Sequence, residues 1–279
     1  MLRSDLKTLA PLVIRGATFA WGSRTYLMGI INATPDSFSG DGLHNDAGAA
    51  AERALSFVAA GCHVLDIGGE STRPGHVPVD EAEELRRVVP VIRAVRSAVA
   101  APISIDTFKP AVARAALDAG ADIINCVWGA IPGISDAAAE SRAPLIVMHN
   151  RAAPDYTGDV VAEVIASLER SARDAQAFGV PAHHIIVDPG MGFGKTAAHN
   201  IQILRRLREL TSALPYAVLV GTSRKSFIGH LTGLPVERRA FGTAASVALA
   251  IAAGADIVRV HDVAEMSTVA AVADAIVRS

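Results

Sequence analysis

One pattern recurs along this chain and restricts its fold more than any other feature. A helix-like stretch ends in glycine, a short polar step follows, and a run of β-branched residues then ends in Asp, His or Asn. It appears in Ala59–Gly69 (AAGCHVLDIGG), Asp118–Gly129 (DAGADIINCVWG) and Ala252–Asp262 (AAGADIVRVHD). Gly61, Gly120 and Gly254 stand where a helix needs a left-handed residue to stop. The runs that follow are apolar on both faces, as in parallel strands covered on both sides. Five more complete the set: Leu27–Asn32, Pro102–Thr107, Pro144–His149, His184–Gly190 and Ala217–Ser223. Between them lie amphipathic helix candidates. Asp46 can cap a helix running to Ala60, and Asp80 can cap DEAEELRRVVPVIRAVRSAV, whose first turn is acidic as the helix dipole favours. Pro110 suits a first helical position, and further helices are expected near 159–178, 198–213, 236–253 and 263–277. Eight strands alternating with helices, at roughly 30-residue spacing, is the arithmetic of an α/β (β/α)8 TIM barrel. A doubly wound open sheet is the alternative, since alternation alone does not fix closure. Val13–Tyr26 reads as an N-terminal β-hairpin, turning at Trp21-Gly22-Ser23 and closing the bottom of the barrel. No linker, low-complexity tract or charge block divides the chain, so 1–279 reads as a single domain.

Composition narrows the function classes. Hydrophobic residues make up 51% of 279 and charged residues 19%, enough for a large core and too apolar for a disordered chain. Lys+Arg 26 against Asp+Glu 28 leaves a formal charge of −2, so no global basic field exists to hold nucleic acid or an anionic membrane. Two cysteines, Cys62 and Cys126, exclude a disulfide framework and favour a reducing, cytoplasmic setting. The opening MLRSDLKTLAPLV has too short an apolar run for a signal peptide, and no stretch has the ~18 uninterrupted apolar residues of a membrane helix.

Polar residues collect at the C-terminal ends of the strands: Asn32, Asp66, Asp106, Asn125, His149, Asp188, Ser223, Arg259 and His261. Any one of them could be a hydrogen-bonded strand-end residue, but packing alone does not explain the set. In a barrel these ends converge on the face that carries active sites, which favours an enzyme. Two loops after strands are long and rich in Gly, Pro, Ser and Thr: Asn32–Asp46 and Gly68–Asp80. Each carries contact groups, among them Asp36, Phe38, Thr72 and Arg73, and such loops can close over a substrate. Two features mislead. GMGFGKT (Gly190–Thr196) looks like a phosphate-binding loop, but the position of the first Walker A glycine is Pro189. His183 and His184 would point to opposite faces on entering a strand, a poor chelating pair.

The segments MGIINATPDSFSGDG, DIGGESTRPG, ISIDT, IIN, DPGMGFGKT, GTSRKSFIG and RAFGTAASVALAIAAGADIVRVHDV, in that order from Leu27 to the end, closely resemble dihydropteroate synthase, a family of pterin-binding enzymes. The resemblance implies a TIM barrel, a homodimer and Mg²⁺. It implies condensation of 6-hydroxymethyl-7,8-dihydropterin pyrophosphate with para-aminobenzoate (4-aminobenzoate), and competition by sulfonamides for the aminobenzoate pocket. Asp106, Asn125 and Asp188 match positions that read the donor–acceptor edge of the pterin. Met148 and Phe193 match apolar positions around its ring, Gly221 a further contact, and Lys225 the donor to the pterin carbonyl beside the aminobenzoate pocket. Asn32 matches the Mg²⁺ ligand and, with Arg73, Arg259 and His261, the diphosphate contacts; a strand-end salt bridge is the plainer role for Arg259. Phe38, Thr72, Arg73, Pro74 and Ser226 match aminobenzoate contacts. The implied catalytic set is Asp106, Lys225, Arg259 and His261, acting in a dissociative substitution. Two departures stand out: Cys126 follows Asn125 where the family often has Asp, and MHNRAAPDYTG replaces a Met-His-Met-Gln type. The alternatives are a pterin-dependent methyltransferase serving a corrinoid, which would need neither long loop nor SRKS, and a non-catalytic pterin-binding paralogue, which should have lost one of Asn32, Asp36, Phe38, Arg73 or Lys225.

Overall fold

The computed structural model describes residues 9–34, 46–70 and 78–278. Strands β1 (Leu12–Ile14) and β2 (Ala17–Phe19) form an antiparallel hairpin. The next eight strands are β3 (Tyr26–Asn32), β4 (Val64–Gly68), β5 (Ile103–Asp106), β6 (Ile123–Cys126), β7 (Leu145–Met148), β8 (Ile185–Asp188), β9 (Ala217–Val220) and β10 (Ile257–Val260). Each pairs in parallel with the next, and β10 returns to β3 in the register Ile257↔Tyr26 to Val260↔Gly29, so the sheet is a closed barrel and not an open one. Outside it run α1 (Ala47–Ala59), α2 (Glu81–Ala98), α3 (Pro110–Ala119), α4 (Pro132–Ser141), α5 (Val160–Ala177), α6 (Ala197–Arg205), α7 (Leu207–Ala213), α8 (Ser226–Thr232), α9 (Ala240–Ala252) and α10 (Val263–Val277). The caps are those read from the sequence: Asp46 accepts from the N–H groups of Gly48 and Ala49, Asp80 from that of Glu83, and Pro110 opens α3.

Three expectations need correction. The hairpin spans Leu12–Phe19 and turns at Arg15-Gly16; it does not run over Val13–Tyr26 or turn at Trp21-Gly22-Ser23, and Tyr26 begins β3. Arg15 and Gly16 both have positive φ (49° and 77°), the geometry of a two-residue hairpin turn whose twist suits the flanking strands. Trp21-Gly22-Ser23 makes the following turn, closed by Ser23 N donating to Ala20 O at 3.2 Å, which leads into β3. The helix expected near 198–213 breaks at Arg206 into α6 and α7, and the one near 236–253 begins as a separate 3-10 turn, Val236–Arg238. Helix α4 was not anticipated, because its Pro-Gly start reads as a turn.

Two apolar layers hold the molecule together. One lies between strands and helices and includes Leu65, Ile105, Ile124 and Val147. The other fills the barrel bottom with Met28, Val64, Ile123, Ile146, Ile186, Leu219 and Ile257, against Leu12, Ile14 and Phe19 of the hairpin. The hairpin therefore plugs that end, as expected. Side chains alternate along a strand. Residues two positions beyond these interior ones face the same interior nearer the C-terminal end: Asp66, Asn125, Met148, Asp188, Gly221 and Arg259. The filling thus changes from aliphatic to polar along the barrel axis. Among the described residues no helix is long and apolar enough to cross a membrane.

Candidate active site

The polar end of the barrel interior is organised around Arg259. Its Nε donates to Asp66 Oδ2 at 2.6 Å and its Nη2 to Asp106 Oδ2 at 2.7 Å. Asn125 Nδ2 reaches the same Asp66 oxygen at 3.3 Å. Asp66, Asp106, Asn125 and Asp188 are all buried. Burial pushes the Asp106 carboxyl up to about 7, against the pull of Arg259 and with help from Asp66. Asp188 is likewise raised by burial, opposed by the Gly190 N–H that donates to its Oδ1 at 2.7 Å and by Lys225 and Arg259. For Arg259 burial disfavours the charge, but Asp66 and Asp106 outweigh it and the guanidinium is held firmly protonated. Oδ1 of Asp66 and Oδ1 of Asp106 are buried without a hydrogen-bond partner. Buried acceptors are normally satisfied, so an orphan at a cavity wall marks where a donor-bearing ligand gains most.

All seven residues expected around the pterin ring line one cavity: Asp106, Asn125, Met148, Asp188, Phe193, Gly221 and Lys225. Arg259, Val127 and Met191 complete it. Met148, Phe193 and Val127 form a small apolar cluster with Phe108 against it. Lys225 Nζ lies 4.1 Å from the Phe193 ring centroid, a cation–π contact. A slot with carboxylates and an amide at one edge, apolar side chains on its walls and an ammonium beside them suits a flat, donor-edged heteroaromatic ring. In the sequence Asp66 stands among the polar strand ends with nothing to give it a role. The structure makes it the anchor of both Arg259 and Asn125. Val127 and Met191 were missed, and nothing chemical in the sequence sets them apart from other apolar loop residues.

Other expected residues lie elsewhere on this face. Asn32 ends β3, half-buried, next to β10. His261 follows β10, with Nδ1 2.9 Å from Ser223 Oγ. Ser226 is exposed at the start of α8. None of the three lines the cavity just described. Asp36, Phe38, Thr72, Arg73 and Pro74 lie outside the described residues. At the edge of that second loop, the Lys109 ammonium bridges buried Glu70 and Glu84, and Glu70 Oε1 accepts from Val79 N at 3.3 Å. Cys126 is buried in the layer between strands and helices, away from the cavity, and burial pushes its thiol up to about 12. His183 and His184 do not point apart. They sit in a 3-10 turn (Ala182–His184) with ring centroids 4.5 Å from each other, because a tight turn brings neighbouring side chains together where a strand would separate them. That turn precedes β8, at the end of the barrel opposite the cavity. Among the described residues no group of three or more His, Cys, Asp and Glu is placed to hold a metal.

Comparison with known proteins agrees with this geometry. The model of the family described as "Pterin binding enzyme" matches residues 28–261. The chain is 48% identical over 278 residues to the dihydropteroate synthase of Synechocystis sp., covering 96% of each. It superposes on the Xanthomonas albilineans dihydropteroate synthase solved with 4-aminobenzoic acid with a TM-score of 0.90, at 44% identity, covering 96% of this chain and 98% of that one. With the same enzyme in complex with 7,8-dihydropteroate the TM-score is 0.86 at 42% identity, again over 96% and 98%. A closed barrel whose polar mouth joins Asp106, Asn125, Asp188 and Lys225 in one cavity, together with these similarities, places the chain in the pterin-binding enzyme family, among the dihydropteroate synthases of folate biosynthesis.

Proposed function

We propose that the cavity seats the pterin of (7,8-dihydropterin-6-yl)methyl diphosphate and that the chain joins its methylene to the amino group of 4-aminobenzoate. The products are 7,8-dihydropteroate and diphosphate. The observation that carries this reading is the set of acceptors facing one slot: Asp188, Asn125 and the unpartnered Asp106 Oδ1. A ring offering N–H and amino donors satisfies them, and a ring without these donors leaves them unpaired.

The methylene C–O bond breaks first, with its electron pair leaving on diphosphate. Positive charge then spreads from the methylene into the electron-rich dihydropterin. Ionised Asp106 offsets that charge, and Lys225 donates to the pterin carbonyl. The aminobenzoate nitrogen attacks the methylene and then releases a proton. The rate gain comes from stabilising the departing anion and placing the amine, so no covalent nucleophile is assigned. Arg259 and His261, at the end of β10, together with Asn32 and Arg73, are the proposed diphosphate contacts. With Nε and Nη2 engaged by Asp66 and Asp106, the Arg259 fork is held in a fixed orientation. Phe38, Thr72, Pro74, Arg73, Lys225 and Ser226 are the proposed aminobenzoate contacts, and sulfonamides compete there.

Mg²⁺ fits the donors present. Asn32, half-buried at the end of β3, would hold it through its amide oxygen. A hard cation that keeps most of its water and takes further oxygens from diphosphate suits such a position. When bound, it neutralises charge on the leaving group. A homodimer is inferred from the apolar side chains exposed on neighbouring helices, Leu231 on α8, Phe241 and Leu249 on α9, and Val272 and Ile276 on α10. Two free, buried thiols suit a cytoplasmic setting.

The test is diphosphate release by the purified protein. The expected result is release that requires both substrates and Mg²⁺. Pterin binding without turnover would favour a non-catalytic paralogue, and methyl transfer to a corrinoid the other alternative.

A further inference from the structure

The lysine of GMGFGKT is the residue a phosphate loop would aim at its ligand. Here Lys195 is directed elsewhere. Its Nζ lies 2.8 Å from His149 Nδ1, 2.9 Å from Phe193 O, 3.0 Å from Gly190 O and 3.4 Å from His149 O. An ammonium has three hydrogens, and the three shorter contacts are all to acceptors. His149 serves as one because burial, with Lys195 and Arg151 nearby, pushes its pKa down to about 3 and keeps the imidazole neutral.

These acceptors belong to two different strand ends. His149 follows β7, while Gly190 and Phe193 lie in the loop after β8. Both ends carry cavity residues: Met148 on one side, Asp188 and Phe193 on the other. The loop is folded tightly between them. Gly190 N donates to Asp188 Oδ1 at 2.7 Å, and Phe193 N donates to Gly190 O at 3.1 Å. Gly190 has φ 67°, and a Cβ there would stand 1.9 Å from His149 O. From the α6 side, Asn200 Oδ1 accepts from Gly192 N at 2.6 Å.

We propose that Lys195 is a positioning residue for the pterin, its ammonium tying the end of β7 to the loop after β8 and so fixing the Asp188 carboxylate and the Phe193 ring in the geometry that receives the heterocycle. The inference rests on the pterin reading of the cavity. Lys195 touches no substrate; it acts through Asp188 and Phe193. Burial works against its charge and pushes it down to about 7, with Asp188 opposing and Lys225 and Arg151 reinforcing the shift. Three well-placed acceptors offset part of the desolvation. Freed of the tie, the loop can shift the ring and the carboxylate, and displacements of about 1 Å at a binding group can cost on the order of a hundredfold.

The experiment compares wild type, Lys195→Met and Lys195→Arg. Dihydropterin diphosphate affinity is measured by calorimetry, KM for 4-aminobenzoate by turnover, and the thermal midpoint by scanning calorimetry. Lys195→Met is expected to weaken pterin binding by about tenfold or more, with the aminobenzoate KM within about twofold, and Lys195→Arg to restore part of the loss. Pterin affinity within twofold of wild type in folded Lys195→Met overturns the inference. So does a loss shared equally by both substrates, which marks general destabilisation. If Lys195→Met does not fold, Lys195→Gln takes its place with the same criteria. Wild type that binds no pterin would overturn the reading of the cavity itself and this inference with it; wild-type binding with an unaffected variant removes only Lys195.

Discussion

Asp106 and Asp188 are both buried carboxylates at strand ends, yet they carry different loads. Asp188 takes a backbone N–H from Gly190 and is the proposed acceptor for the pterin edge, so its removal should act on one substrate. Asp188→Ala is expected to lose pterin affinity by about a hundredfold, corresponding to loss of hydrogen bonds to a charged group, while aminobenzoate affinity changes little; calorimetry with each ligand checks this. Asp106 is paired with Arg259 and raised to about 7. An unfolded Asp titrates near 4, so between roughly pH 4 and 7 the native state holds a proton the unfolded chain has released. Stability contributed by this group is therefore present at low pH and lost as pH rises through 7. Activity is expected to run the other way, because in the proposed mechanism only the ionised form offsets the methylene cation. The ratio kcat/KM for the pterin substrate should fall as pH drops below about 7, where Lys195 stays charged and Asp106 takes up its proton; a profile flat on that acid side would remove Asp106 from that role.

The strands were legible because their signal is local: short apolar runs ending in a polar residue, three of them preceded by a glycine that stops a helix. Helices with strong caps were legible for the same reason, as Asp46, Asp80 and Pro110 show. Helix α4 was not, since Pro132-Gly133 looks like a turn until tertiary packing buries Ile134 and Ala138 behind β6. A hairpin near the N-terminus was foreseen but its bounds and turn were not, because Trp21-Gly22-Ser23 and Arg15-Gly16 are both competent turns and only strand pairing selects between them. Strand-end polarity exposed Asp106, Asn125, Asp188 and Arg259; Met148, Phe193, Gly221 and Lys225 were legible only through the family resemblance. The role of Asp66 was hidden, because its contact to Arg259 joins residues 193 positions apart and exists only once β10 closes onto β3. As an element, the hairpin plugs the end away from the chemistry. Phe19→Ala is expected to cost about 3–5 kcal/mol of stability in denaturant unfolding, with kcat/KM within about twofold.

At the scale of the molecule, a closed barrel separates two tasks. Its bottom is filled by aliphatic residues and a hairpin, and its top gathers charge that a less rigid frame would neutralise or solvate. The outer surface carries a further feature: Phe241 on α9 is 91% exposed, beside other apolar side chains of α8 to α10. If the proposed homodimer uses this face, Phe241→Glu shifts the protein from dimer to monomer in analytical ultracentrifugation at micromolar concentration; a wild type that sediments as a monomer would contradict the proposed dimer. A crystal structure of the protein with 7,8-dihydropteroate tests the central claim most directly. The expected result is the pterin edge against Asp188 and Asn125, with its ring beside Met148 and Phe193 and Lys225 Nζ at its carbonyl. A pterin bound anywhere else, or one inverted so that its donor edge faces away from those two residues, would contradict it.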